Sequence, residues 1–311
     1  MGNLNKLLAT FEPRSPWFGA GRSIVALAQM SILVFTTPDS LLQTVIGLDE
    51  GPRCGGYRQI TLYCLGGEIL TQETRRWVMV AMLLSVVIGY LPRCTAILHL
   101  WVSFSLGWSI TLPDGGEQVA RIVVMFFLLI AIADDRRWHW KQPQTPRPVI
   151  LSGLALAGLL GVRVQMSMIY LHAAVSKLWT EDWLNGSAEY YTVRDPMFGA
   201  SGFIYTVMHW VTSQPIGVAI LTWGAILIEL AIGVLILTPA RGRLAALALD
   251  VMLHGFIIAT IGLWSFALVM IGATVVAAAP HTPESDFLRR SFKNLTLRFD
   301  SGRTRNLVRK F

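Results

Sequence analysis

Several stretches of this chain run for close to 20 residues with almost no charged side chain, and that feature restricts the fold more than any other. Crossing a hydrocarbon layer of about 30 Å takes roughly 20 apolar residues in a helix. Inside that layer each backbone N–H and C=O has to be satisfied within its own segment, which selects helices over open strands. Composition agrees: 53% of residues are hydrophobic and only 14% are charged, against about 25% charged in soluble domains. Too little polar surface remains to coat a globule. The pattern predicts an all-α, polytopic integral membrane helical bundle of about eight transmembrane helices.

The expected crossings are 20–37, 77–92, 95–112, 117–134, 148–178, 215–238, 243–261 and 263–279, with a short amphipathic helix at 203–213. This divides the chain into an N-terminal segment 1–19, a bundle 20–280 with an external loop at 38–76, and a basic tail 281–311. The first 20 residues lack a compact apolar core and a small-residue cleavage site, so no cleavable signal is expected.

Lys and Arg set the orientation. Lys6, Arg14 and Arg22 precede or open the first crossing; Arg136, Arg137, Lys141 and Arg147 fill the connector before the fifth; Arg241 and Arg243 lie between the sixth and seventh. With eight crossings these share one side with the tail, so both termini are expected in the cytoplasm. The net charge of +7 is concentrated in that tail, where eight Lys/Arg face three acids. Phe287, Phe292, Leu295 and Phe299 are spaced among its charges, so the tail suits an anionic membrane surface and not nucleic acid. Cys54 and Cys64 share the external loop, where they either pair as a disulfide or stay as two thiols.

One stretch does not fit: "IYLHAAVSKLWTEDWLNGSAEYY", residues 169–191, keeps His172 and Lys177 in an apolar segment. On a helix Arg163, Tyr170 and Lys177 are seven apart and share one face, while Gln165 and His172 lie nearly opposite. Polar groups on two faces predict a helix enclosed by the bundle, with Ala173, Ala174 and Ser176 allowing close neighbours. Ionisable groups inside a membrane point to function. Lys177 is either a snorkelling lysine or an amine held in an apolar pocket to act as a base. Glu229 lies deep in the sixth crossing, as a partner for a cation such as Arg163 or as a catalytic group. Asp250 and His254 stand four apart in the seventh, so they share a face. No His/Cys grouping has metal-ligand spacing.

The order Arg163-x-Gln165, Tyr170, Lys177-Leu178, Trp183 and Gly186 resembles the core signature of the HTTM superfamily, which includes the vitamin K-dependent gamma-carboxylases; residues 253–273 resemble that family's second block. The resemblance implies an HTTM-like bundle with Lys177 as the base, because the matching lysine deprotonates vitamin K hydroquinone in the carboxylases. Within the superfamily the chain is more similar to the sporulation-delaying protein B group, through residues 114–140 and "GSAEYYTVRDPMFG" at 186–199. That likeness implies a bacterial cell-membrane protein supporting maturation of a secreted peptide toxin, with a small accessory protein.

Two departures separate it from the carboxylases: they continue into a large lumenal domain, and they carry an Asn-His pair where this chain has Asp114-Gly115-Gly116. The leading expectation is therefore a membrane factor for a secreted peptide precursor. Lys177, His172 and His254 are its candidate catalytic residues. Arg163, Gln165, Tyr170, Trp183, Tyr190, Tyr191, Glu229 and Asp250 are expected to line an outward pocket that a quinone- or hydroquinone-like membrane lipid could enter. The alternatives are a hydroquinone-dependent carboxylase or oxygenase, and a non-enzymatic transporter or toxin-immunity protein.

Overall fold

The computed structural model describes residues 8, 11–43, 52, 54–111, 113–145, 148–196 and 198–280. The basic tail and residues 1–7, 9 and 10 of the N-terminal segment lie outside the described residues, as does the tail's expected contact with a membrane surface. The described chain is all helix and loop. Its long helices are α1 (Pro16–Phe35), α2 (Gln72–Val87), α3 (Pro92–Ser109), α4 (Gly115–Ala131) and α5 (Val149–Lys177). Two shorter helices follow, α6 (Ala188–Arg194) and α7 (Gly202–Thr212), then α8 (Pro215–Leu235), α9 (Ala240–Ile261) and α10 (Trp264–Ala278).

Eight of these correspond to the expected crossings. Four, namely α1, α5, α8 and α9, are long and apolar enough to cross a membrane. By the same measure α2, α4 and α10 are short, at 16, 17 and 15 residues, and α3 reaches 18 residues without the apolar content.

Helix starts are set by capping, which shifts several of them a turn earlier than hydropathy suggests. Ser15 accepts from the Phe18 N–H, with Pro16 at the first helical position, and Thr71 accepts from the Thr74 N–H. Asp114 and Glu117 form a reciprocal capping box that opens α4.

In the bundle α10 packs along α1 and touches α9, α4 and α5, while α5 lies between α4 and α8. Small residues permit the closest approach. A Cβ placed on Gly21 of α1 would sit 2.4 Å from the Gly272 carbonyl oxygen of α10, so only hydrogen fits between those backbones. One apolar core runs through α1, α4, α5, α9 and α10. A second lies between α1, α2 and α3, and it recruits part of the 38–76 loop: Leu62 and Tyr63 are buried, and the Leu62 N–H donates to Ser105 Oγ at 2.9 Å. Cys54 and Cys64 are joined as a disulfide in that loop.

The basic connectors gather at one end. Arg14 bridges Glu12 and Asp135, and Arg136 pairs with Asp134. His139 packs against Gly19 and Gly89, where a Cβ on Gly89 would lie 2.2 Å from its ring. Burial, aided by the charges of Arg22 and Arg136, pulls the His139 imidazole down to about 3. At the opposite end lie the disulfide loop, the Asp114 turn and the Phe35–Trp264 ring contact.

Candidate functional site

Lys177 is the last residue of α5, at the end of the bundle away from the basic connectors. Its side chain does not run on towards that end. It folds back, as long helical side chains do towards the preceding turn, so that Nζ donates to the Ala173 carbonyl at 3.5 Å and to Glu229 Oε1 and Oε2, each at 2.7 Å. The ammonium also lies 5.0 Å from the centre of the Trp183 ring, a cation–π contact. The two charged side chains are 21% and 12% exposed, so the pair is largely withdrawn from solvent. Glu229 comes from α8, and the turn of helix Glu181–Leu184 supplies Trp183. A third acid was not foreseen from sequence: Glu189 of α6 is held by its N–H on Thr222 Oγ1 at 3.2 Å. Burial pushes its carboxyl above the ordinary range, partly offset by the Lys177 charge.

Two turns below Lys177 on the same face, buried Tyr170 donates its hydroxyl to Asp250 Oδ1. His254 Nδ1 lies 3.0 Å from that same oxygen, as the four-residue spacing on α9 requires. Asp250 Oδ2 has no hydrogen-bond partner. The Tyr170 and His254 rings meet edge-on at 6.1 Å, and Phe266 covers the imidazole from α10. Glu229 lies within electrostatic reach of Tyr170. Lys177, Glu229, Tyr170, Asp250 and His254 thus form one polar column between α5, α8 and α9.

Of the other expected site residues, Trp183 touches this column through Lys177 and the rest fall outside it. Arg163 shares the face, but 14 residues of helix place it about 21 Å from Lys177. There its Nε and Nη2 donate to the carbonyls of Ala277 (2.8 Å) and Ala279 (2.6 Å), closing the open C-terminal end of α10. It does not pair with Glu229. His172 is exposed on the face that also presents Val164, Met168 and Val175, and Gln165 is half-buried. The expectation that α5 is enclosed on both polar faces is therefore corrected: 500° of helical turn separates residue 172 from 177, and only the Lys177 face meets the bundle. Tyr190 and Tyr191 are exposed and meet edge to face, with the Arg194 guanidinium 3.7 Å above the Tyr190 ring. Among the described residues no group of three His, Cys, Asp or Glu is placed to hold a metal.

A second buried polar cluster also escaped the sequence. Arg22 is fully buried, with Nη2 donating to Thr95 Oγ1 at 2.8 Å, and Gln29 joins His99 at 3.1 Å and Ser103 at 2.9 Å. Arg22 lies six residues inside α1, and that depth was the available signal.

Taken together, these features define a helical membrane protein with a lysine–carboxylate pair set into one end of its bundle. No family model and no solved structure matches the chain. It is 30% identical over 299 residues to the protein YitO of Bacillus subtilis (strain 168), spanning 94% of this chain and 96% of the relative, and it belongs to that protein's family. It is also similar to sporulation-delaying protein SdpB of the same organism, at 28% identity over 282 residues, 89% of this chain and 86% of the relative.

Proposed function

We propose that this chain is a multi-pass protein of the bacterial cell membrane that supports maturation of a secreted peptide, with Lys177 as the base of an outward-facing site. All eight long helices cross in this reading, and both termini are cytoplasmic. Collection of Arg14, Arg136, Lys141 and Arg243 at one end of the bundle supports the orientation. Likeness to a sporulation-delaying protein supports the pathway. Substrate is a secreted peptide precursor, aided by a small accessory protein.

The observation that carries the reading is the Lys177–Glu229 pair, with both carboxylate oxygens at 2.7 Å. Moving one proton from Nζ to Glu229 yields a neutral amine beside a neutral acid. The amine lone pair can then take a proton from a substrate, which restores the ammonium, and the carboxyl proton leaves to solvent. Trp183 and the apolar neighbours of α5 keep competing water away from that exchange.

Lys177→Ala should abolish peptide maturation in cells while membrane insertion and level stay normal. Wild-type maturation by the inserted variant would end the base assignment. Turnover of reduced naphthoquinone by the purified protein, lost in Lys177→Ala, would instead favour hydroquinone-driven chemistry.

A further inference from the structure

We infer that α7 lies in the plane of the membrane surface on the Lys177 side, with a Phe203–Val207–Trp210 stripe sunk into the acyl boundary of that leaflet. The helix has 11 residues, about 16 Å, too short to cross. Yet it is apolar and is exposed nearly all round; Met208 and Thr212 are its buried residues. On a helical projection Phe203, Val207 and Trp210 fall within about 60° of one another, opposite Met208. They are 82%, 42% and 67% exposed. Thr206, His209 and Ser213, with the exposed Tyr205 ring packed beside His209, occupy the other side, so the exposed surface is split lengthwise into an apolar strip and a more polar one. That division suits a helix lying at an interface, with aromatic rings at headgroup depth.

Chain continuity identifies the occupant as lipid. The membrane-crossing helix α8 begins at Pro215, only two residues after Ser213. Its outer stripe is exposed from the start, with Ile216 at 74%, Ile220 at 66% and Leu227 at 65%. Lipid covering that stripe reaches the end of α7. The helix is also tied to the Lys177 region: Arg194 at the end of α6 donates to Thr212 Oγ1 at 2.9 Å and Ser213 Oγ at 3.0 Å. A surface-seated α7 therefore fixes the height of α6, which carries Glu189.

Site-directed spin labelling tests this without reference to activity, so its outcome is separate from that of the Lys177 reading. On a Cys94→Ser background with the Cys54–Cys64 bridge intact, single cysteines would be placed at 203, 207 and 210 and at 206 and 209. The labelled protein would be reconstituted in vesicles of phosphatidylethanolamine and phosphatidylglycerol. Labels at 203, 207 and 210 should show an oxygen-to-nickel-chelate accessibility ratio several-fold above those at 206 and 209. Equal, high access of the nickel chelate at all five positions would place α7 in water and overturn the proposal. Low access to both reagents at the aromatic positions would mean that protein covers the stripe, and would overturn it equally.

Discussion

Replacing Lys177 by methionine retains most of the stem and removes the charge. Glu229, 12% exposed, then loses the group that meets both of its oxygens. Breaking a fully buried ion pair costs about 3–5 kcal/mol because a charge is left behind, whereas an exposed pair contributes about 0–1 kcal/mol. The observed exposures put this pair nearer the buried limit, at about 2–3 kcal/mol for Lys177→Met. The reverse change, Glu229→Leu, should cost less, about 1 kcal/mol, because the freed lysine can swing outward to the headgroups. The double variant removes both charges and should recover most of the loss, giving a coupling of about 2 kcal/mol. At roughly 2 °C or more per kcal/mol, thermal unfolding in detergent should fall by about 4–6 °C for Lys177→Met. The double variant should return to within about 2 °C of wild type. Strict additivity, with the double variant falling by the sum of the two single losses, would refute the claim that this pair is withdrawn from solvent and mutually dependent.

Gly21→Ala should lower the unfolding temperature, because its Cβ would sit 2.4 Å from the Gly272 carbonyl and overpacking costs about 1–3 kcal/mol. Gly153→Ala, with nothing within 4 Å, serves as the control and should be neutral or stabilising; equal losses would refute the contact. His139 gives a pH test: its folded value of about 3 lies below the ordinary 6.5, so the unfolded chain takes up the proton first. Stability is then full above pH 6.5 and is lost as pH falls towards 3. A scan of unfolding temperature against pH should be shallower for His139→Asn, and matching slopes would remove His139 as the cause.

Hydropathy alone located the eight long helices, because apolar runs and Lys/Arg flanks are properties of the chain itself. Their ends were less legible: Ser15 and Thr71 cap through side-chain oxygens that a window average cannot weigh. The seven-residue spacing placed Tyr170 and Lys177 on one face, and the four-residue spacing joined Asp250 to His254. Partner choice depended on tertiary distance, which spacing does not encode. Glu229 meets Lys177 and not Arg163 because α8 packs against the C-terminal half of α5, while Arg163 lies level with the end of α10. Glu189 went unnoticed because its burial arises from α6 folding onto Thr222, a contact with no local signature.

The Gly21–Gly272 contact ties assembly to the order of synthesis. Among the described helices the first long one, α1, packs along the last, α10, so this contact forms only after Trp264–Ala278 has been made. Until then the face of α1 around Val25, which meets Gly272 of α10, stays uncovered.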